Sequence, residues 1–194
     1  MAVCGVLALQ GAWDAHGKIL RELDADIRFV RTAAELDAVQ SLVIPGGEST
    51  AMLRLMEPEG LSPQLADRIA AGMPVLATCA GVILLAEQVE PAQECLGILD
   101  VAVERNAYGR QVHSTIRTVS LAPESGDLAE MEGVFIRAPR ITRVGSRVVV
   151  LGHLGDDPVL IRQDRIIGAT FHPELTADRR VHELFLKLAE EADG

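Results

Sequence analysis

The sequence contains few aromatic residues and less positive than negative charge. Aromatic side chains make up 3% of its 194 residues, with one tryptophan and one tyrosine. Its 28 acidic residues outnumber 18 lysines and arginines, which gives a formal net charge of -10. Because an acidic surface repels phosphate backbones, nucleic-acid binding is a poor explanation of this chain. The apolar runs are too short to span a bilayer, which argues against a membrane protein.

Cysteine is also scarce. Cys4, Cys79 and Cys95 are odd in number and lack metal-ligand spacing, which argues against a disulfide framework or a zinc site. The apolar N-terminal segment has no basic residues before it, so it predicts a first β-strand and not a signal peptide. These features fit a reducing compartment, and we expect a cytoplasmic protein.

The pattern of apolar residues predicts an α/β fold. In the first half, short apolar runs alternate with amphipathic stretches, which is typical of a parallel sheet covered on both faces. Strands are predicted at 3–9, 27–30, 41–44 and 74–77, and helices at 16–23, 49–56, 63–71 and 81–89, with Ser62 as N-cap of the third helix and Pro63 in its first turn.

The second half is richer in predicted strands, at 112–121, 133–137, 147–152, 159–162 and 166–171, and it ends in a helix at 178–192. These strands either extend the sheet or form an antiparallel flap against it. The length suits one domain over residues 1–194. We therefore predict a single-domain three-layer sandwich with a mostly parallel central sheet flanked by helices.

The segment around Cys79 has the pattern of a nucleophile elbow, a sharp turn between a strand and a helix. An apolar strand precedes Cys79, and Ala77 and Gly81 supply the small side chains that such a turn requires. A helix N-terminus favours the thiolate of a cysteine placed there. Taken alone, the pattern is equally compatible with a buried, unreactive cysteine.

A second candidate segment contains His172, Pro173 and Glu174 after a predicted strand. A cysteine nucleophile needs a base, and the base needs an orienting acid. Because residues two apart share one face of an extended chain, we expect the Glu174 carboxylate beside the His172 imidazole. Alone, this segment also fits a structural histidine before a turn proline, so the inference depends on both segments together.

Two glycines follow the strand predicted at 41–44. Gly46 and Gly47 allow backbone amides to approach a ligand closely. The amides of Gly47 and Ala80 are therefore candidates for an oxyanion hole. A phosphate-binding loop is disfavoured because no Gly-Lys-Ser/Thr sequence follows. A plain turn with Ser49 as helix N-cap remains open and is compatible with the functional role.

In this order along the chain, the three segments resemble the class I, or triad-type, glutamine amidotransferases. More specifically, the chain is similar almost end to end to the glutaminase subunits of pyridoxal 5'-phosphate synthases. The similar segments are Gly5–Gly11, Pro45–Thr50, Thr78–Gly81, Glu104–Gln111, Gly133–Pro139 and Phe171–Thr176. His113 stands where this family is expected to have an acidic residue, and the loop at 91–94 is shorter than expected.

The resemblance implies a glutaminase that uses no cofactor and no metal. Cys79 would attack the side-chain amide of L-glutamine, with His172 and Glu174 completing the triad, and water would release L-glutamate from a thioester. The ammonia would pass to a synthase subunit that makes pyridoxal 5'-phosphate, the expected protein partner in a hetero-oligomer. Low activity is expected of the chain alone, because partner binding completes the oxyanion loop in this family.

The resemblance also implies roles for residues around the triad. Arg105 would contact the carboxylate of the bound amino acid, Tyr108 would contribute to the pocket wall, and Gln10 would couple partner docking to the oxyanion loop. The expected oxyanion and substrate-binding residues are Gly46, Gly47, Glu48, Ser49, Ala80, Arg105, Ile136 and Arg137.

Three alternatives remain open at this point. Another amidotransferase glutaminase, such as that of histidine biosynthesis, would keep the triad and change the partner. A redox-sensing or chaperone-like relative would use Cys79 as an oxidation sensor and would need no His-Pro-Glu segment. A structural or regulatory subunit is disfavoured because all three catalytic residue types are present. His16 and His182 are expected to be surface or packing residues.

Overall fold

The computed structural model of the chain describes residues 3–107, 115–122 and 129–193. The strands are β1 (Cys4–Leu7), β2 (Ile27–Val30), β3 (Ser41–Ile44), β4 (Val75–Thr78), β5 (Ala86–Glu90), β6 (Leu99–Glu104), β7 (Thr115–Leu121), β8 (Glu130–Phe135), β9 (Arg140–Val144), β10 (Val149–Leu154), β11 (Asp157–Gln163) and β12 (Ile166–Ala169). The α-helices are α1 (Trp13–Glu22), α2 (Ala33–Asp37), α3 (Ser49–Met56), α4 (Leu61–Ala70), α5 (Ala80–Leu85) and α6 (Arg180–Asp193). None of the helices in these ranges has the length and apolar character needed to cross a membrane.

Among the described residues, nine strands form one sheet in the order β2-β1-β3-β4-β12-β11-β10-β7-β8. Neighbours from β2 to β12 are parallel, and neighbours from β12 to β8 are antiparallel. The predicted α/β fold is confirmed, and the strands of the second half extend the sheet with antiparallel pairing. The parallel half is the part that positions the site.

Both faces of the parallel half are buried. Alternate residues point to opposite faces, so Val6 belongs to one hydrophobic cluster and Leu7 to the other. The cluster that contains Val6 includes Leu20 of α1 and Phe185 of α6. The cluster that contains Leu7 includes Leu65 of α4, together with residues of α2, α3 and α5. Helices therefore cover the sheet on both sides, as a sheet with near-continuous apolar strands requires.

A second, three-stranded sheet has the order β5-β6-β9 and packs against the Leu7 cluster. The helix predicted at 81–89 is therefore wrong in its second half, because α5 ends at Leu85 and the chain continues as β5. Leu85 and Val89 fit helical spacing, but the pairing of β5 with β6, the next strand along the chain, decides the outcome. The spacing of apolar residues within one segment does not indicate which other strand that segment pairs with.

Two predicted caps are also wrong. Glu48, and not Ser49, caps α3: its Oε2 accepts a hydrogen bond from the amide of Ala51 at 2.9 Å. Ser62 lies inside α4, which starts at Leu61 directly after Gly60 in a left-handed conformation. The sequence pattern did not predict α2, a short helix that starts with a capping box between Thr32 and Glu35. The first part of the strand predicted at 112–121 lies outside the described residues.

Candidate active site

The candidate residues come together at the carboxyl ends of adjacent parallel strands. Strands β3, β4 and β12 are neighbours, with Ile44 paired to Ala77 and Thr78 paired to Ala169. Gly46 follows β3, Cys79 follows β4 and His172 follows β12 by three residues. This edge of an open α/β sheet is where ligands usually bind.

Cys79 lies in a strained turn between β4 and α5. Its φ is +46° and its ψ is -102°, and its amide donates to the carbonyl of Ala169 at 2.8 Å. A positive φ on a residue other than glycine costs about 1–3 kcal/mol and is common at functional sites. Gly81 is required because a Cβ there would lie 2.5 Å from the carbonyl oxygen of Ile44. The geometry is that of a nucleophile elbow.

His172 and Glu174 are in direct contact. The Nδ1 atom of His172 lies 2.7 Å from Oε1 of Glu174, and both residues are buried. The spacing predicted that this contact would arise in extended chain. Pro173–Leu175 instead forms a 3-10 segment, which turns the carboxylate back to the ring. The amide of His172 donates to the carbonyl of Val134 at 2.8 Å, which anchors the segment to β8.

The electrostatics favour a charged imidazolium between two partners. Burial opposes the charge on His172, but hydrogen bonds and charge interactions with Cys79 and Glu174 outweigh it and raise the pKa of His172 to about 10. Burial also acts to raise the pKa of Glu174, but its hydrogen bond with His172 and the charges of His16 and His172 lower it overall. The three groups therefore form one coupled cluster.

The loop after β3 approaches the triad closely. A Cβ on Gly46 would lie 2.4 Å from Cε1 of His172, so any side chain there would overlap the imidazole. The carbonyl of Gly46 accepts from the amide of Ala12 at 3.1 Å. The side-chain amide of Gln10 donates to the carbonyl of Glu48 at 2.9 Å, and a Cβ on Gly47 would lie 2.5 Å from Gln10 Nε2. The loop after β1 thus holds the glycine loop in place.

A cavity of about 190 Å³ opens beside Cys79 and His172. Of the predicted residues, Gly46 and Ala80 adjoin it in sequence without lining it, and Tyr108 lies outside the described residues. Ile83 and Asn106 also line it, although no sequence motif predicted a role for them. The lining residues are Gly47, Glu48, Ser49, Cys79, Ile83, Arg105, Asn106, Ile136, Arg137 and His172.

The rim of the cavity carries a partly exposed ion pair. Arg105 Nη2 lies 3.4 Å from Glu48 Oε1. A hydrogen bond from the Thr50 hydroxyl, supported by the amides of Ala51 and Thr50, lowers the pKa of Glu48 despite its partial burial. Exposed pairs of this kind are weak, so a ligand carboxylate can replace Glu48 as the partner of Arg105 at small cost.

A polar cluster behind the triad was not predicted from the sequence. His16 on α1 and His182 on α6 are fully buried, and His16 Nε2 lies 3.3 Å from Oε2 of Glu174. A signal was present: His16 shares a helix face with the buried Ile19 and Leu20, at i+3 and i+4. Among the described residues, no group of three or more His, Cys, Asp or Glu side chains is arranged to hold a metal ion.

Comparison with known proteins agrees with this geometry. The sequence profile of the SNO glutamine amidotransferase family matches residues 6–191. The chain is 51% identical over 185 residues to the pyridoxal 5'-phosphate synthase subunit PdxT of Koribacter versatilis, covering 95% of this chain and 94% of that relative. It is 45% identical over 185 residues to the subunit of the same name from Thermotoga maritima, covering 95% and 97%.

Solved structures of other proteins also superpose on this chain. A crystal structure of a glutamine amidotransferase superposes with a TM-score of 0.88 at 43% identity, covering 96% of this chain and 98% of that one. The structure of PurLQS from Thermotoga maritima has a TM-score of 0.64 at 15% identity, covering 99% and 97%. Because the identity to PurLQS is only 15%, this similarity shows a shared fold and nothing more.

Proposed function

The chain belongs to the SNO glutamine amidotransferase family, and we propose that Cys79, His172 and Glu174 form its catalytic triad. The protein is a glutaminase that hydrolyses L-glutamine to L-glutamate and ammonia. It works in a hetero-oligomer with the synthase subunit that uses this ammonia to make pyridoxal 5'-phosphate. The observation that carries the triad proposal is the 2.7 Å contact of His172 with Glu174 beside the strained Cys79.

Acylation starts from a Cys79 that has already given its proton to His172, because the raised pKa of His172 favours the imidazolium. Because Nδ1 of His172 is engaged by Glu174, the proton lies on Nε2. The sulfur then bonds to the side-chain amide carbon of glutamine, and the carbonyl electron pair moves onto oxygen. When that pair returns, the C–N bond breaks and the nitrogen takes a proton from His172 and leaves as ammonia. A thioester on Cys79 remains.

Deacylation uses the same residues in reverse roles. A water molecule gives a proton to Nε2 of His172 as its oxygen bonds to the thioester carbon. The C–S bond then breaks, the sulfur of Cys79 leaves as the thiolate beside the protonated His172, and glutamate is released. Glu174 holds the imidazole in one tautomer during both steps and stabilises its charged form.

The oxyanion that forms in both steps needs backbone donors. The amide of Ala80 is the first of α5 and has no acceptor within the helix, so it is available to the substrate. The Gly46 carbonyl points to the amide of Ala12, and in a trans peptide the Gly47 N–H points the opposite way. These orientations support an oxyanion hole formed by the amides of Gly47 and Ala80.

The cavity residues suit a small amino acid. The guanidinium of Arg105 carries a fixed charge and a planar set of donors that match the α-carboxylate of glutamine. The carbonyl of Ile136 lies 4.0 Å from Cys79 Sγ, so backbone groups border the reacting atoms, with Arg137 beside them. Glu48 and Ser49 also line the cavity, and the Ser49 hydroxyl is hydrogen-bonded to the side chain of Gln93.

Gln10 couples the partner to the oxyanion loop in this proposal. Its side chain joins the loop after β1 to the Glu48 carbonyl and packs on Gly47. A synthase subunit that moves Gln10 therefore moves the peptide that carries one oxyanion donor. This arrangement supports low glutaminase activity of the chain alone.

Two further assignments complete the proposal. We treat residues 1–194 as one domain, because the three-stranded sheet and the large sheet share the Leu7 cluster. We assign the protein to the cytoplasm, because Cys4, Cys79 and Cys95 are free thiols, as is usual in a reducing compartment.

The test measures glutamate release by the purified chain with and without its synthase partner, and pyridoxal 5'-phosphate formation by the complex. Wild-type chain is expected to release glutamate slowly alone and faster in the complex. The complex with Cys79→Ala should make pyridoxal 5'-phosphate from ammonium salts but not from glutamine. Glutamine-dependent synthesis by that variant would overturn the triad, and equal turnover with and without the partner would overturn the coupling role.

A further inference from the structure

Two fully buried histidines, His16 and His182, lie behind the triad and take no part in acylation or deacylation. His16 Nδ1 lies 2.9 Å from His182 Nε2, and His16 Nε2 lies 3.2 Å from the Thr78 hydroxyl. The same Nε2 atom lies 3.3 Å from Oε2 of Glu174, within ion-pair distance but not aligned as a hydrogen bond. Among the described residues, Oε2 has no other partner, although Oε1 is bonded to His172.

The contacts determine the tautomer of each ring. A bare Nε2 on His16 would place a lone pair 3.3 Å from the charged Oε2 of Glu174, which is unfavourable, whereas an Nε2–H can donate to the Thr78 hydroxyl and stabilise that oxygen. His16 therefore carries its proton on Nε2 and accepts on Nδ1. His182 must then donate from its Nε2, which leaves its Nδ1 bare, and Nδ1 is the atom of that ring without a partner.

Both rings are uncharged at neutral pH. Burial lowers the pKa of His16, against the opposing charge of Glu174 and with the support of the charge on His172. Burial, together with electrostatic interactions with His16 and Arg179, lowers the pKa of His182 to about 3, again against Glu174. His16 therefore places an N–H dipole 3.3 Å from the carboxylate oxygen, measured between the heavy atoms, without adding a positive charge, and His172 remains the cationic partner of Glu174.

On the basis of the proposed function, we propose that His16 is a positioning residue: its Nε2–H, hydrogen-bonded to the Thr78 hydroxyl, also lies beside Oε2 of Glu174 and stabilises the carboxylate that orients His172. The carboxylate is buried, and a buried charged oxygen without a donor is strongly destabilised. Without His16, Glu174 would rotate towards other donors or take up a proton. Either change would weaken its hold on the tautomer of His172.

The main test compares His16→Leu and His16→Gln with wild type in the chain–synthase complex. His16→Leu removes the donor and is expected to lower kcat on the order of 10- to 100-fold with little change in KM, because hydrogen bonds to charged groups are strong. It should also move the acidic limb of the kcat–pH profile to higher pH, since an unsupported Glu174 protonates more easily. His16→Gln places an amide N–H near the position of Nε2 and should recover most of the activity.

His182→Leu is the matched control. It removes an equally buried imidazole from the same cluster but keeps the Nε2–H of His16 and its contact with Glu174. Its kcat and pH profile should stay close to those of wild type. An equal loss in His16→Leu and His182→Leu would show a packing effect and overturn the positioning role, as would wild-type kinetics in His16→Leu. A wild-type complex without glutaminase activity would instead refute the proposed function itself.

A measurement on the unaltered chain covers the case in which His16→Leu does not fold. Nitrogen-15 NMR of the histidine rings at neutral pH reports which ring nitrogen carries the proton. A neutral Nε2–H tautomer for His16 is expected. A ring protonated on Nδ1, or a doubly protonated ring, would contradict the proposal.

Discussion

Gly46 shows how much of this site depends on the absence of a single side chain. A Cβ at that position would overlap the imidazole of His172, just as a Cβ on Gly81 would overlap the Ile44 carbonyl. Gly11 approaches the same loop from the other side, where a Cβ would lie 1.9 Å from the Gly46 carbonyl oxygen. These glycines allow the chain segments around Cys79 to approach one another. Gly46 and Gly81 were recognisable from their places in motifs, whereas the close approach at Gly11 was not predicted.

The contacts of the two histidines behind the triad, His16 and His182, were harder to predict from sequence. Sequence pattern indicates that His16 faces the core, but it does not indicate which polar group it meets there. The contact with Glu174 joins positions 158 residues apart and depends on the packing of α1 and α6 against the same sheet face. Local periodicity contains no information on such a contact.

Burial of neutral histidines makes the stability of the folded chain dependent on pH. Burial lowers the pKa of His182 to about 3, and it also lowers the pKa of His16. Below about pH 6.5 the unfolded chain binds protons at these rings that the folded chain does not, so stability is present above that pH and is lost as the pH falls. Each ring contributes a slope of up to about 1.4 kcal/mol per pH unit.

We therefore expect the free energy of unfolding to decrease from about pH 6.5 to about pH 5, above the range in which most carboxylates titrate; the raised pKa of His172 acts in the opposite sense only at higher pH, where the unfolded ring is not yet protonated. His182→Leu should show a shallower decrease, by up to about 1.4 kcal/mol per pH unit. Denaturant unfolding of both chains across this range measures the difference. Parallel curves would contradict the neutral, buried state of His182.

At the scale of elements, the parallel strands were the most predictable part of the fold. The bounds predicted for β2 and β3 agree with the structure, because short apolar runs between turn residues are local signals. The three-stranded sheet was not predicted, because β5 pairs with β6, 13 or 14 residues further along the chain, and β6 pairs with β9, 36 or more residues further. The error at 81–89 has the same origin.

The side chain of Gln163 joins the two sheets. It is almost fully buried at the end of β11, accepts from the amide of Asp100 at 2.8 Å and donates to the carbonyl of Ile98 at 3.0 Å. Both backbone groups belong to the region of β6. The amide of one side chain thus satisfies a donor and an acceptor at the junction between the sheets.

Gln163→Leu should therefore destabilise the chain by about 2 kcal/mol or more, since it leaves two backbone groups without partners. Urea unfolding gives this value directly. Gln88→Leu, on the exposed side of β5, is the control and should change stability by less than about 0.5 kcal/mol. A Gln163→Leu chain as stable as that control would contradict the bridging role of the amide.

At the scale of the whole molecule, the sheet topology brings distant segments to one edge. The strand order places β3, β4 and β12 side by side, so residues 46, 79 and 172 meet although they are far apart in the chain. The sequence predicted this meeting because each segment carries a short motif after a strand. The cavity shape, the Glu48–Arg105 pair and the buried histidines needed the folded chain, because they arise from contacts between motifs.

The most direct test of the account is to trap the covalent intermediate. The complex of the chain with its synthase partner is mixed with carbon-labelled glutamine, denatured by rapid quenching in acid and digested for peptide mapping. We predict label in thioester linkage on the peptide that contains Cys79, and none on any peptide of the Cys79→Ala chain. Label on a different residue, or undiminished glutamine hydrolysis by Cys79→Ala, would contradict the account.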